Sequence, residues 1–310
     1  ISIEDKYAAI VGAQPGSFAF LFGLACKHPS EHVQKYAIHT IFSLSRNDKN
    51  KETIATKWFL VLAKLFASPN QSIQTLATAI MAEISIGYDE AKAKATKEIG
   101  VLKIVPLLKS GSSEQRYEAC RLLTNITNKQ AEVQKAAVKE GLLALLLGIA
   151  TNRIDNNRRT QTAALSAVAN ILALVGDKET DMGADFAREN VTGAIVTILK
   201  EARGQDRETE ELQEQNLRAI VGITKHKALS AEFIEKEGVE ALTPLLGPAN
   251  KELQKQAVRT IKNLSKKYKK RLAAKETLLD SLQSVATESS STNVQKVAKK
   301  TLSRLQLSTK

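Results

Sequence analysis

Three asparagines occupy the same place in a repeated helical pattern, and their side chains can bind a peptide backbone. Asn125 lies in "ACRLLTNIT", Asn170 in "ALSAVANIL" and Asn263 in "AVRTIKNLS". A carboxamide both donates and accepts hydrogen bonds, so it matches a main-chain peptide group. Arg121 and Arg259 lie one turn before two of these asparagines. The pattern therefore predicts a polypeptide-binding surface with cationic character.

The pattern around these asparagines repeats along most of the chain. Weaker copies include "AIHTIFSLS" and "AKKTLSRLQ", and the steps between copies are 40, 42, 45, 52, 41 and 41 residues. Units of that length are typical of solenoids with two or three helices per repeat. We define the residues at the asparagine place as the ladder positions: Ser43, Glu83, Asn125, Asn170, Gly222, Asn263 and Arg304. The residues one turn earlier are the preceding-turn positions: His39, Ala79, Arg121, Ser166, Arg218, Arg259 and Lys300.

Each unit is predicted to contain three helices separated by two turns. In the segment 92–128, "AKAKATKEI" is a short first helix, "VLKIVPLLKS" a second and "SEQRYEACRLLTNITN" a third. Gly100 separates the first two helices, and Gly141, Gly193 and Gly238 recur at that corner. A sharp corner between helices often needs a left-handed backbone, which glycine adopts without steric cost. We therefore expect a glycine corner in these units.

One face of the third helix is apolar and the neighbouring stripe is polar. The apolar residues of the segment 119–126 have the i, i+3, i+4, i+7 spacing of a buried face. Arg121 and Asn125, four residues apart, share an adjacent stripe. Third helices stacked side by side would turn that stripe into the lining of a groove. Neighbouring helices about 10 Å apart give a groove about 60 Å long, enough for roughly 18 extended residues.

The third-helix pattern "A-x-x-A-L-x-N-L" and the glycine corner together resemble the armadillo repeat family. The resemblance covers nearly the whole chain and implies an all-α, right-handed α-solenoid. It implies about six repeat units and a partial unit at each end. Residues 1–310 then form one solenoid, 1–28 are an N-terminal half-repeat cap, and 290–310 are a C-terminal partial repeat.

In armadillo proteins the ladder asparagine holds the backbone of an extended peptide. The resemblance carries this role to the three asparagines, and the other four ladder positions depart from it. The predicted partner-binding groove is lined by eight side chains: Arg121, Asn125, Asn170, Arg218, Arg259, Asn263, Lys300 and Arg304. Nuclear-import adaptors of the same fold carry tryptophans at several preceding-turn positions, whereas the one tryptophan here is Trp58. Arginine and lysine at those positions would repel a basic signal, so an acidic client fits better.

Positive charge is concentrated near the C-terminal end. Residues 249–310 carry 15 Lys and Arg and 4 Asp and Glu, a net +11, against +12 for the whole chain. Three interpretations stay open: a solvated end cap, a docking surface for an acidic protein, and a site for nucleic acid or anionic lipid. Aromatic residues that could stack on bases make up only 5% of the chain. The predicted basic end patch consists of Lys266, Lys267, Lys269, Lys270 and Arg271.

The sequence has no arrangement that indicates catalysis, a metal or a cofactor. Cys26 and Cys120 have no partner spacing, and the four histidines form no HExxH. GxGxxG, GxxxxGKS/T and GxSxG are absent, and an open helical trough offers no closed pocket. We therefore predict a protein that is not an enzyme, with no catalytic residue, no bound metal and no cofactor.

The N-terminal segment raises the questions of membrane insertion and location. The uncharged window 7–26 has the length to span a bilayer. Gln14, Pro15 and Gly16 interrupt it, so we predict a helix, a turn and a helix of a half-repeat. The chain begins with Ile1 and has a pI of about 9.5. These features favour an organellar protein on the mitochondrial matrix side after presequence cleavage, with a cytoplasmic protein as the alternative.

The two functional interpretations are both non-enzymatic. In the first, the chain is an architectural or accessory subunit that braces a larger protein assembly. In the second, it is an adaptor that binds an extended acidic peptide in its concave groove. The incomplete asparagine ladder favours the first. Both predict protein partners with acidic segments.

Overall fold

The computed structural model of the chain describes residues 3–173, 182–247 and 250–306. These residues form α-helices with short π-helical and 3₁₀ segments, and they contain no β-strand. The all-α fold class predicted from the sequence is therefore confirmed. The chain divides into two compact units, Ile1–Leu145 and Leu146–Lys310. The single solenoid over 1–310, with caps at 1–28 and 290–310, stays a prediction.

The helices follow one another with short connections in both units. In chain order up to the unit boundary they are α1 (Ile3–Ala13), α2 (Ser17–Lys27), α3 (Glu31–Leu44), α4 (Asp48–Thr53), α5 (Phe59–Phe66), α6 (Gln71–Ile84), α7 (Asp89–Glu98), α8 (Val105–Ser110), α9 (Ser113–Thr127), α10 (Ala131–Lys139) and α11 (Leu142–Ala150). They continue with α12 (Arg158–Ala173), α13 (Met182–Arg188), α14 (Val191–Glu201), α15 (Arg207–Lys225), α16 (Lys227–Glu235), α17 (Gly238–Leu242), α18 (Lys251–Lys267), α19 (Lys269–Ala273), α20 (Glu276–Glu288) and α21 (Thr292–Gln306).

The third helices of successive repeats pack side by side within each unit. In the first unit α3 contacts α6, and α6 contacts α9. In the second unit the same order runs α12, α15, α18, α21. The apolar face predicted in the segment 119–126 is fully buried. Burial of one stripe per helix leaves the ladder stripe at the edge of each helix–helix contact.

The corner between first and second helices takes a left-handed residue in the four units for which the sequence predicts a glycine corner. Gly100 and Gly141 adopt it, with φ of 64° and 71°. In the next two units the left-handed residues are Asn190 and Glu237, with φ of 50° and 61°. The prediction that glycine makes every corner is therefore wrong for the second unit.

Gly193 and Gly238 of the second unit are required by close packing and not by a left-handed backbone. Gly193 lies inside α14, where a Cβ would come within 2.4 Å of the Asn190 side chain. Gly238 opens α17, and a Cβ there would lie 2.4 Å from the Phe233 ring. Asparagine tolerates the left-handed region because its short polar side chain bonds locally. Glycine in both places allows close approach of a neighbouring side chain.

A long polar side chain near the start of most third helices ties that helix to the segment before it. It lies nine residues before the ladder position and donates to a main-chain carbonyl at the end of the preceding helix. Such carbonyls lack partners within their own helix. The six bonds are Gln34 to His28 (2.6 Å), Gln74 to Phe66 (3.0 Å), Arg116 to Leu108 (3.2 Å), Gln213 to Ala202 (2.6 Å), Gln254 to Leu246 (3.0 Å) and Gln295 to Ser289 (2.8 Å).

The N-terminal segment forms the predicted helix, turn and helix as α1 and α2, with Gly16 at φ 80° between them. Within the described residues no single helix is long and apolar enough to cross a membrane. The stretch Asp5–Ala13 and α2 meet that length and composition together, but they are bent by 89°. Phe22 of α2 stacks on Trp58 with ring centroids 5.0 Å apart. Trp58 ends a π-helical segment, Ile54–Trp58, which joins α4 to α5.

Candidate protein-binding seam

The seam consists of the ladder and preceding-turn positions of the third helices within each unit. In the first unit its central amide is Asn125, a partly buried residue of α9. The amide nitrogen of Asn125 donates to the main-chain oxygen of Ala82 in α6, at 2.7 Å. This bond closes an otherwise open backbone acceptor on the neighbouring third helix. The asparagine therefore ties two repeats together.

Arg121 is held in a cluster of charged side chains. Its guanidinium contacts Glu118 at 2.8 Å and Glu83 of α6 at 3.0 Å. Lys51 of α4 reaches the other oxygen of Glu83 at 3.2 Å. The exposed fractions of the Glu118 and Arg121 side chains are only 5% and 22%. The predicted cation of the groove is thus neutralised by two carboxylates within the first unit.

Burial and charge act in opposite directions on Arg121. Burial alone lowers the pKa of the guanidinium, but Glu118, Tyr117 and Glu83 outweigh it and raise the pKa above its ordinary value. The guanidinium carbon also lies 5.7 Å from the centroid of the Tyr117 ring, within the range of a cation–π contact. Arg121 therefore stays charged, and its charge is balanced by its neighbours.

In the second unit a side-chain hydrogen bond links the third helices α12 and α15. Asn170 of α12 is 5% exposed, and its amide oxygen accepts a hydrogen bond from Arg218 of α15 at 2.8 Å. At the next ladder position a Cβ on Gly222 would lie 2.7 Å from the Cβ of Leu172. Glycine thus lets α15 approach α12 closely. One amide and one arginine of the predicted groove bind each other here.

The seam between α18 and α21 is more open. Arg259 and Lys300 are exposed, and within the described residues they make no ion pair. The amide of Asn263 is partly buried and makes no hydrogen bond to another described residue. Arg304 donates to the hydroxyl oxygen of Ser265 at 3.2 Å, which links the two helices. This part of the predicted groove keeps its polar groups available to a partner.

The basic end patch is divided between internal contacts and open charge. Lys267 donates to the main-chain oxygen of Thr224, at 3.1 Å, at the end of α15. Arg271 pairs with Glu235 at 3.2 Å. Lys266, Lys269 and Lys270 form no ion pair with any described residue. Within the described residues, Arg271 is therefore the one predicted patch residue that a carboxylate balances. Lys267 is held by main-chain oxygens, and Lys266, Lys269 and Lys270 are open.

A second lysine makes the same kind of contact as Lys267. Lys225, the last residue of α15, donates to the main-chain oxygen of Ala173 at 3.3 Å, at the end of α12. Cations near a helix C-terminus satisfy its last carbonyls and complement its dipole. Within the second unit, the end of one third helix is thus capped by a lysine of the next.

His226 lies directly after α15, beside these lysines. Its Nε2 is buried and has no hydrogen-bond partner among the described residues. The ring packs edge-on against Phe186 with centroids 5.7 Å apart. Burial lowers the pKa of His226, and the charges of Lys267 and Lys225 lower it further. Burial and the two lysines therefore favour the neutral imidazole.

The described part of the chain holds no group of three or more His, Cys, Asp or Glu side chains placed to bind a metal ion. Cys26 is exposed and Cys120 is buried, and the two do not form a disulfide bond.

Solved structures resemble the chain over most of its length. A crystal structure of an engineered protein is 27% identical and has a TM-score of 0.79; the match covers 97% of this chain and 71% of that one. A designed armadillo repeat protein in complex with the peptide (KR)4 is 20% identical, with a TM-score of 0.67 over 80% of this chain and 99% of that one. A computationally designed armadillo repeat protein for modular peptide recognition has a TM-score of 0.64 at 20% identity, over 79% and 99%.

The chain has the armadillo repeat fold. The all-α solenoid class and the armadillo resemblance predicted from the sequence are thus confirmed. Neither a family profile nor a curated protein sequence matches the chain. The likeness therefore lies in the three-dimensional fold.

Two features of the structure bear on the predicted groove. Trp58 lies in the π-helical segment directly before α5, away from the preceding-turn positions of the third helices. The carboxylates that neutralise Arg121 were missed by the sequence interpretation. Their signal was present, because Glu118 lies three residues before Arg121 and Glu83 holds the ladder position of the previous repeat. The use of the eight predicted groove residues to bind a partner stays a prediction.

Proposed function

We propose that this armadillo chain is a non-enzymatic scaffold that binds proteins and braces a larger assembly as an architectural subunit. The proposal rests on the closed seam between α6 and α9 in the first unit and between α12 and α15 in the second. Asn125, Asn170, Arg121 and Arg218 bond to a neighbouring third helix or to side chains beside it. Polar groups used in this way hold the repeats together. They are suited to a rigid body rather than to a clamp along a whole peptide.

The fold comparison gives a second support. One designed armadillo protein is in complex with a peptide of lysine and arginine, so the fold can present a surface to a polypeptide. The open side chains on the seam of this chain are cationic. A partner of this chain would therefore carry acidic rather than basic segments.

The architectural role has a direct test in native extract. We expect the chain to migrate in a complex much larger than its own 33.8 kDa. The charge reversals Lys266→Glu, Lys269→Glu and Lys270→Glu, made together, should release it. The control reverses three exposed lysines elsewhere, Lys35, Lys49 and Lys109.

A monomer in gentle native extract, or release by the control variant alone, would contradict the architectural role. The matrix-side location belongs to the same proposal and is tested by fractionation of mitochondria with protease protection.

A second candidate function, an adaptor for an acidic segment, is favoured by the open end of the seam. Arg259, Asn263 and Lys266 lie on one stripe of α18, and Lys300 lies on α21, which packs against α18. Exposed ion pairs contribute only about 0.2 to 1 kcal/mol each. Binding here would be weak and sensitive to salt. An apolar contact or the Asn263 amide would have to supply the rest.

A fluorescent peptide of mixed aspartate and glutamate tests the adaptor. Arg259→Glu with Lys300→Glu should weaken its binding about tenfold, and added salt should weaken binding to the unaltered protein. Lys35→Glu with Lys49→Glu serves as the charge-matched control in the first unit. Equal affinity of the two double variants would remove this candidate and leave the architectural role untouched.

A further inference from the structure

The two leucines with exposed side chains lie near one groove of the first unit. Within the described residues, Leu60 is 65% exposed and Leu102 is 59% exposed, while every other leucine is at least partly buried. Leu60 belongs to α5, and Leu102 begins the 3₁₀ segment Leu102–Ile104 before α8. Leu60 lines a groove, and Leu102 directly precedes Lys103, which lines the same groove. Exposed apolar side chains that cluster at a groove indicate a surface that excludes water when it is covered.

The groove between these segments has an apolar floor. Its volume is about 670 Å³, and Leu60, Ala63, Phe66, Ile99 and Pro106 line it. Phe66 and Ile99 are buried at its base. The space is sufficient for one or two leucine-sized side chains. None of the seam residues of the third helices lines it, so a partner here leaves the seam uncovered.

The rim of the groove is mainly cationic. Lys64 lines the groove one helical turn after Leu60, and it has no carboxylate partner in the described part of the chain. On the opposite wall, Lys103 donates to the main-chain oxygen of Glu98 at 2.7 Å, which leaves its charge unbalanced. Glu98 is the one acidic residue of the lining. Apolar floor and cationic rim together define the chemistry of the occupant.

We propose that this groove docks a segment of another protein in which leucine-sized side chains are flanked by aspartate or glutamate. The apolar side chains fill the floor beside Phe66 and Ile99. The flanking carboxylates face Lys64 and Lys103. The contact is separate from the seam, so it supplies a further partner surface, which lies on the first unit.

A designed peptide tests this inference without knowledge of the natural partner. The probe is a short fluorescent peptide in which leucine pairs alternate with glutamates, and its anisotropy reports binding to the full chain. We expect measurable affinity, lost when serine replaces the leucines and lost when lysine replaces the glutamates. Equal binding of the serine peptide would overturn the role of the apolar floor. Equal binding of the lysine peptide would overturn the role of the rim.

Variants of the protein locate the contact. Leu60→Ala should weaken peptide binding about tenfold, because burial of a leucine stabilises a complex by about 1.5 kcal/mol or more. Lys64→Glu with Lys103→Glu should weaken it about fivefold and remove most of its salt dependence. All three side chains are exposed, so far-UV circular dichroism should not change. Ile86→Ala, an exposed apolar residue of the same unit outside the groove, is the matched control.

Cys26 provides an independent readout at this place. It is the exposed one of the two thiols, and Lys64 is near enough for its charge to act on the thiol. An environment-sensitive dye on Cys26 should respond to the peptide, and Leu60→Ala should remove the response. A response that persists in Leu60→Ala would show that the peptide binds elsewhere. A change of oligomeric state in Leu60→Glu would overturn the proposed occupant, because it would show that a second copy of this chain covers the groove. The seam variants Arg259→Glu and Lys300→Glu should bind this peptide normally, which separates the groove from the proposed adaptor site.

Discussion

The α6–α9 pair and the α15–α18 pair use the same seam positions in opposite ways. Between α6 and α9, Arg121 is surrounded by Glu83 and Glu118, and Asn125 donates to the backbone of α6. Between α15 and α18, the corresponding Arg259 and Asn263 have no such partners among the described residues. The ladder position of α15 is Gly222, and the residue three places before Arg259 is Gln256. The difference comes from the acidic residues, which only the first pair places beside its arginine.

The same seam position can stabilise the fold in one repeat and be free to bind a partner in another. An asparagine or arginine on the seam of an armadillo repeat is a stabilising tie where the neighbouring helix offers an acceptor. The same residue is available to a partner where the neighbour offers none. A ladder counted from sequence therefore overstates the number of groups that can bind a client.

The largest effect expected from this comparison is on the charged cluster of the first pair. Glu118→Gln removes one of the two carboxylates that balance the charge of Arg121. The site is buried, since the Glu118 side chain is only 5% exposed. Removal of one partner of a buried ion pair costs about 3 kcal/mol. Urea denaturation should show a loss of about 2 to 3 kcal/mol in the free energy of unfolding.

The control for the cluster is Glu252→Gln on α18, which breaks the exposed pair with Lys255. It should cost less than about 0.5 kcal/mol. Similar losses in the two variants would show that the cluster is not held by its buried charges.

A smaller effect is expected at the closest approach of two third helices. Gly222→Ala places a Cβ 2.7 Å from the Cβ of Leu172 and 3.0 Å from its main-chain oxygen. Overpacking of this kind costs about 1 to 3 kcal/mol. Thermal unfolding should show a lower midpoint. Gly23→Ala in α2 is the matched control, since a Cβ there meets nothing within 4 Å, and it should stabilise the helix slightly.

The fold could be predicted from the sequence to a larger extent than the seam. The apolar spacing of the segment 119–126 and the regular steps between ladder positions depend on residues close together in the chain, and the third helices pack as these indicate. The acceptor of Asn125 is a main-chain oxygen 43 residues away, which no residue type reveals. The corners at Asn190 and Glu237 were missed because a nearby glycine suggested the same turn.

The two asparagines should differ by a modest amount. Asn125→Ala removes the donor to the Ala82 oxygen, and loss of one such bond costs about 1 kcal/mol. Asn263→Ala, the matched change in the open pair, removes no hydrogen bond to a described residue. It should change the free energy of unfolding by less than about 0.3 kcal/mol. Chemical denaturation of both variants measures the difference, and equal losses would contradict the assignment of Asn125 as an internal tie.

The smallest effect expected is a pH dependence at the end of α15. Since burial and the nearby lysines lower the pKa of His226 in the folded state, the unfolded chain binds the proton more tightly. Stability should therefore fall as the pH drops from about 7 to about 5. The partly exposed ring limits the effect to less than about 1 kcal/mol. His226→Gln should lose this part of the pH dependence, and an unchanged profile in that variant would assign it to other groups.

Lys225 and Lys267 each donate a hydrogen bond to a carbonyl at the end of the third helix in the preceding repeat. A helix whose last carbonyls rely on the following repeat loses its final turn when that repeat melts. Unfolding that starts from the C-terminal side of the second unit should thus advance inward repeat by repeat. A chain shortened after α15 would keep the cap on α12 but leave a frayed new end on α15 itself.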